Sequence, residues 1–129
     1  MLNWDIREFS GSLAVQLSAT DYTGSSLTGI DKAMGVAVDA AGRVVVAGYV
    51  ETAAGNDDWV VRSYDAEGDL LWSWMYASPG GADDRAFGVA TDAGGCVIAA
   101  GMEGRADIGE GRYWRIVTLD SAGNLLDSV

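Results

Sequence analysis

Residues 31–48 read DKAMGVAVDAAGRVVVAG, and residues 84–101 read DRAFGVATDAGGCVIAAG. Compared at an offset of 53 over Asp31–Val50 and Asp84–Glu103, the two stretches agree at 11 of 20 positions. Further along the register slips by two. Trp59, Asp65, Gly68, Leu70, Leu71 and Ser73 match Trp114, Asp120, Gly123, Leu125, Leu126 and Ser128 at an offset of 55. A change of two residues belongs in a loop, between 51–58 and 104–113. Repeats of this length are stacked supersecondary units, each unable to bury its own surface alone.

Inside each repeat the pattern alternates between apolar runs and Asp-x-x-Gly. The runs Ala33–Val38 and Arg43–Val50 flank Asp39–Gly42; Trp59–Tyr64 and Leu70–Tyr76 flank Asp65–Gly68. Ala86–Thr91 and Cys96–Met102 flank Asp92–Gly95; Trp114–Leu119 and Leu125–Val129 flank Asp120–Gly123. An Asp side chain can bond its own turn backbone, and Gly supplies positive φ, so the spacing predicts four hairpins. DAEGD and DSAGN lack the alternating oxygen ligands and closing Glu of a calcium-binding EF-hand loop. Upstream, WDIREF (residues 4–9) matches WVVRSY (59–64). Leu13–Ser18 would be the strand after it, and Ala19–Ile30 reads as a loop.

The strands are apolar on both faces, which requires sheets covered on both sides. Short antiparallel strands in sandwiched, repeated groups of four predict an all-β fold of β-propeller blades. The count is two outer strands, then four, then four, or about two and a half blades of an incomplete ring. Residues 1–30 form a partial blade and loop; 31–83 and 84–129 are the two repeats. Gly48 and Gly101 are expected to serve close packing or backbone geometry within their strands. Too few blades to cover the apolar faces implies self-association or missing blades.

The words GVAVDAAGRVVVAGYV with DWVVRSYDAEGDLLW, and GVATDAGGCVIAAGM with YWRIVTLDSAGNLL, resemble the bacterial seven-bladed β-propeller (SBBP) repeats and the related delta-60 repeats. The resemblance covers Asp31–Val129, with weaker cover of Trp4–Ser18. It implies a piece of a large secreted or surface-anchored bacterial protein, serving as a structural or interaction scaffold. It implies no cofactor and carries little function, since fold does not set function.

Composition narrows the chemistry. The 129 residues carry a net charge of −11, with 19 acidic and 8 basic side chains. This weighs against nucleic acid as a partner, because phosphate binding needs clustered Lys and Arg. No apolar run approaches the ~20 residues of a membrane-spanning helix. There is no His, so the commonest general base and metal ligand is missing. No catalytic triad, Cys–His pair or zinc spacing is present, and Cys96, the one cysteine, reads as a buried inert thiol in CVIAAG. Paired carboxylates do occur, at Asp57–Asp58 and Asp83–Asp84, in the residue types that glycoside hydrolysis uses. Solvated loop acids are the plainer reading.

Topology places one candidate surface. In a four-stranded meander the Asp-x-x-Gly turns share one end, and the remaining loops share the other. That second end carries Glu51, Asn56, Asp57, Asp58, Asp83, Asp84, Asp107, Glu110 and Arg112. Loops on a rigid scaffold are where binding usually resides. A non-catalytic scaffold binding protein is the leading expectation. The alternative is a carbohydrate- or ligand-binding, lectin-like propeller assembled from several copies, its Trp residues stacking on glycan; Trp59 and Trp114, which recur within strands, read instead as packing residues.

Overall fold

A computed structural model describes residues 4–9, 16–22, 30–52, 55–105, 109 and 111–129, with side chains described from Ile30 onward. It is all-β. The strands are β1 (Trp4–Phe9), β2 (Gln16–Tyr22), β3 (Lys32–Val38), β4 (Val44–Glu51), β5 (Asp57–Tyr64), β6 (Leu70–Tyr76), β7 (Arg85–Thr91), β8 (Val97–Gly104), β9 (Arg112–Leu119) and β10 (Leu125–Ser128). β1 and β2 form an antiparallel ribbon. β3–β4–β5–β6 and β7–β8–β9–β10 are four-stranded antiparallel meanders.

The four Asp-x-x-Gly segments form one turn four times over. In each, the Gly N–H donates to the Asp carbonyl oxygen, at 3.0 Å for Gly42, 3.1 Å for Gly68, 3.1 Å for Gly95 and 3.0 Å for Gly123. These four glycines have φ between 80° and 93°, a region that costs a side-chain-bearing residue energy. The Asp Oδ1 then accepts two backbone N–H groups, two and four residues on. For Asp39 the donors are Ala41 and Arg43, at 2.9 and 3.0 Å; Asp65, Asp92 and Asp120 repeat the pair. One carboxylate therefore replaces the ladder bonds that the tight loop gives up.

The two meanders stack face to face. Val45, Ala47, Trp59 and Val61 of the first pack against Ala86, Val97, Ala99, Val117 and Leu119 of the second, with Trp72, Trp74 and Tyr76 extending the contact outward. Polar links frame it. The Trp59 indole Nε1–H donates to the Met102 carbonyl oxygen at 2.7 Å. At the turn end, the Trp72 indole and Arg43 both donate to the Ser121 carbonyl. At the other end the Asp84 N–H donates to the Asp57 carbonyl at 2.7 Å.

Gly101 has no room for a side chain, toward its paired strand β7 first and toward the facing sheet second. A Cβ there would lie 2.1 Å from the Arg85 carbonyl oxygen and 2.9 Å from Cζ2 of Trp59. The expected packing role of Gly101 is thus borne out. Its repeat partner Gly48 is buried.

Two expectations need correction. Residues 19–22 are not loop: they complete β2, because Trp4↔Tyr22 through Arg7↔Ala19 are paired in register; residues 13–15 lie outside the described set. Cys96 is half-buried beside its turn rather than in the core, its N–H held by Asp92; partial desolvation, then the Asp92 carboxylate, raise its thiol pKa. As too few blades to cover the apolar faces implies, burial on both faces holds only for the middle of the first meander. There Val46, Val50 and Val60 are covered on the side away from the second sheet. Across the same side, Val36 and Val38 of β3, paired with Val46 and Val44, are 62% and 63% exposed.

The second meander is covered on one face only. Trp59 is 0% exposed, while Trp114, its repeat counterpart, is 91% exposed. The packing role expected of Trp114 is therefore unfulfilled within these strands. Val61 and Val45 are 0% and 1% exposed; their counterparts Ile116 and Ile98 are 42% and 41% exposed.

Trp59→Ala should cost about 3–5 kcal/mol of folding stability, as expected for a buried aromatic. Trp114→Ala should stay within about 0.5 kcal/mol, as expected for surface changes. Urea unfolding of the two variants checks this; equal losses would refute the assigned faces. Gly101→Ala should cost at least about 1–3 kcal/mol through overpacking.

Candidate functional site

The end of the stack opposite the Asp-x-x-Gly turns gathers most of the acidic residues nominated from sequence. Asp57 and Asp58 begin β5, and Asp83 and Asp84 precede β7. Asp57, Asp58 and Asp84 are buried, so they are not the solvated loop acids the pattern suggests. Stacking of the two meanders brings them together. Asp107 and Glu110 lie outside the described residues. Arg112 is exposed at the start of β9, opposite Gly104, and is not drawn into the acidic group.

Each carboxylate has a specific task. Asp84 Oδ1 accepts the Gly104 N–H at 2.9 Å, and its Oδ2 accepts the Ser78 N–H at 2.5 Å. It pins the inter-sheet loop to the end of β8. Asp31, its repeat counterpart, accepts the Glu51 N–H at 3.0 Å, the same bond one repeat earlier. Asp83 Oδ1 accepts the Asp57 N–H at 3.0 Å. Asn56 Nδ2 donates to Asp58 Oδ1 at 3.0 Å, and the Ile30 N–H donates to Glu51 Oε2 at 3.2 Å.

Cations that the sequence reading passed over complete the arrangement. Arg85 Nε lies 2.6 Å from Asp57 Oδ2 and its Nη2 lies 3.3 Å from Asp83 Oδ2. The same guanidinium stands over the Tyr49 ring at 5.0 Å. Glu103 is buried and pairs with Arg115 at 2.6 Å, and Arg115 lies 4.0 Å from the Tyr76 ring centroid. Two signals in the chain pointed to them. Arg85 follows a repeated Asp, and Glu103 and Arg115 fall two residues apart across the β8–β9 register. The first is visible only once the offset between sheets is known, the second only once the strand register is.

Between these groups lies a polar hollow of about 330 Å³, lined by Ile30, Lys32, Tyr49, Glu51, Gly55, Asp57, Asp83 and Arg85. Its charges are mixed and largely paired with one another. Among the described residues, no group of three or more His, Cys, Asp or Glu is arranged to hold a metal ion. A second hollow, of about 440 Å³, is apolar and lies on the open face of the second meander. Phe87, Gly88, Ala100, Gly101, Met102 and Trp114 line it. Sequence reasoning did not anticipate it, because the repeat assigns those positions to a covered face.

Burial, followed by the charges of Asp84 and Asp57, raises the pKa of Asp58; the Asn56 amide works the other way. Burial also raises the pKa of Asp84, against the Ser78 and Gly104 N–H donors. A raised carboxyl pKa means the folded state holds protons that the unfolded state has released. Stability from Asp58 is thus present at low pH and falls as pH rises from the ordinary aspartate range through the raised value. Asp58→Asn should then raise Tm at pH 7 and leave it near the parent value at pH 3. A Tm loss at pH 7 would show that the charged form is the one the fold needs.

No helix among the described residues is long and apolar enough to cross a membrane. No family model matches the chain, and no curated protein matches it.

Proposed function

We propose that this chain is a non-catalytic β-propeller repeat segment that acts as a structural or interaction scaffold, as part of a larger bacterial surface or secreted protein. The observation that carries this is the 91% exposure of Trp114 where the repeat elsewhere buries its tryptophan. An apolar sheet face of this kind, rimmed by polar loops, is an association surface. The carboxylates support the same view from the other side. Asp57, Asp83, Asp84 and Glu103 are held by backbone N–H groups or guanidinium groups that fix loops and sheets. A hydrolase needs one carboxyl free to donate a proton and another free to attack or to activate water. The bacterial surface setting rests on the repeat resemblance alone.

A lectin-like role is the second reading. The exposed Trp114 indole beside an apolar hollow offers a platform on which a sugar ring stacks. Glycan-array binding that disappears in Trp114→Ala would establish it in place of the scaffold role. We expect no such binding, and no glycoside hydrolysis. A hydrolytic activity abolished by Asp57→Asn together with Asp58→Asn would overturn the proposal.

A further inference from the structure

The loop end of the sheet junction carries more negative charge than its cations balance. Asp57, Asp58, Asp84 and Glu103 are buried there, with Asp83 half-buried beside them. Arg85 of β7 is shared between Asp57 and Asp83. Arg115 of β9 and Arg105 both go to Glu103 of β8, at 2.6 and 3.5 Å. The other strands at this end supply no further pair. Lys32 of β3 is exposed and lines the polar hollow with Tyr49 and Glu51 of β4, and β6 ends in Tyr76. Among the described residues no Lys or Arg pairs with Asp58 or Asp84.

The two acids left over differ in what they hold. Asp84 accepts the Ser78 and Gly104 N–H groups, and Asp31 makes the equivalent bond one repeat earlier. Asp58 holds no backbone group among the described residues; its partner is the Asn56 side-chain amide. The position equivalent to Asp58 in the second meander is Tyr113, so the repeat does not require a carboxylate there. Asp58 is nevertheless only 9% exposed, and Asp84 is 0% exposed. Asp84 is the charge that acts on Asp58 most strongly, ahead of Asp57 and Asp83. A buried carboxyl with acidic neighbours and no cation favours its neutral form.

We infer that Asp58 is a proton-operated latch that closes the loop end of the sheet junction. With the proton held, the start of β5 and the 77–84 loop lie against each other, and the Asp84 N–H reaches the Asp57 carbonyl. When the proton leaves, a second buried negative charge faces Asp84, the residue that pins this loop. The loop belongs to no strand and carries adjacent glycines, Gly80 and Gly81, at φ of 90° and 69°. It can swing away without unpairing a sheet. It also carries Asp83, a wall of the polar hollow, so the hollow widens with it.

The turn end has no such element. There Arg43 and the Trp72 indole donate to the Ser121 carbonyl, and the Asp39 and Asp120 carboxyls have lowered pKa values, so they stay charged while Asp58 titrates. The junction therefore opens at one end only. Burial, then the charges of Asp84 and Asp57, raise the Asp58 pKa. The closed form thus belongs to the acidic side and is lost as pH rises from the ordinary aspartate range through the raised value.

The test is amide hydrogen exchange by NMR on the 129-residue chain at about pH 4.5 and about pH 7.5, corrected for intrinsic exchange rates. Protection of the Ser78, Asp84 and Gly104 N–H groups is expected to fall several-fold at the higher pH. The Gly42, Gly95 and Gly123 N–H groups at the turns should keep theirs. Asp58→Asn, which fixes the uncharged form, should hold loop-end protection high at both pH values. The Asp58 carboxyl carbon shift in the unaltered chain should titrate over the interval in which protection is lost. Unchanged loop-end protection would overturn the inference, and so would an equal fall at both ends, which marks a loss of global stability. A fall that persists in Asp58→Asn, an Asp58→Asn chain that does not fold, or an Asp58 carboxyl that titrates in the ordinary range would each overturn it as well.

Discussion

The contact of Trp59 with Gly101 sets the distance between the sheets, and most other features depend on that distance. The largest apolar side chain in the chain's repeat is placed against the residue with no side chain at all. The flat ring then lies where a Cβ would stand 2.9 Å from it, and the indole N–H reaches a backbone carbonyl at 2.7 Å. Burying the indole supplies apolar area, and the hydrogen bond removes the cost of burying its one polar group. Only at this spacing does Val89 reach the first sheet and the Asp84 N–H reach the Asp57 carbonyl. A wider gap would break both.

Aspartate takes up the work that strand pairing leaves undone. At the four turns it satisfies two N–H groups from one oxygen. At the other end Asp31 and Asp84 each accept from an N–H 20 residues on, those of Glu51 and Gly104. The two settings differ in electrostatic consequence. At Asp39, burial pulls the pKa upward, but the Arg43 and Ala41 N–H groups and the Arg43 side chain hold it below the ordinary value. At Asp58 and Asp84, burial prevails and the pKa rises. The Asp39 carboxylate thus contributes stability above the ordinary aspartate range, lost as pH falls through its lowered value, whereas Asp58 and Asp84 do the reverse. The high acidic content of the chain is in part structural, serving hydrogen bonding as well as solubility.

This division explains what could be read from the residues alone. The turns were legible because Asp-x-x-Gly carries its whole mechanism within five residues. The strands flanking those turns followed, since hairpins fix their neighbours, and their boundaries moved by only a residue or two, as at Lys32 or Asp57, whereas β2 ends four residues later than read. The candidate end of the stack was legible from meander topology, which placed Glu51, Asn56, Asp57, Asp58, Asp83 and Asp84 together. The pairing of Asp57 with Arg85 and of Glu103 with Arg115 was not. Those contacts depend on how one sheet is offset against another or on cross-strand neighbours, and no local pattern encodes that offset. Cys96 misled for a related reason: an apolar run marks a strand, but the residue at its turn end sits outside the covered zone.

The repeat itself conceals the last distinction. Its identities mark positions that every sheet needs, such as Asp31, Gly42 and Gly48. Its differences mark positions whose neighbour changes. Asp57 and Arg112 are equivalent in place and opposite in charge: Asp57 holds Arg85 of the facing sheet, whereas Arg112 is exposed. Trp59 and Trp114 are identical in residue and opposite in exposure: one lies against the facing sheet, the other on an open face. In a quasi-one-dimensional stack, each unit contacts only the units beside it. Identity along the chain therefore specifies the architecture, whereas the differences follow what each sheet packs against.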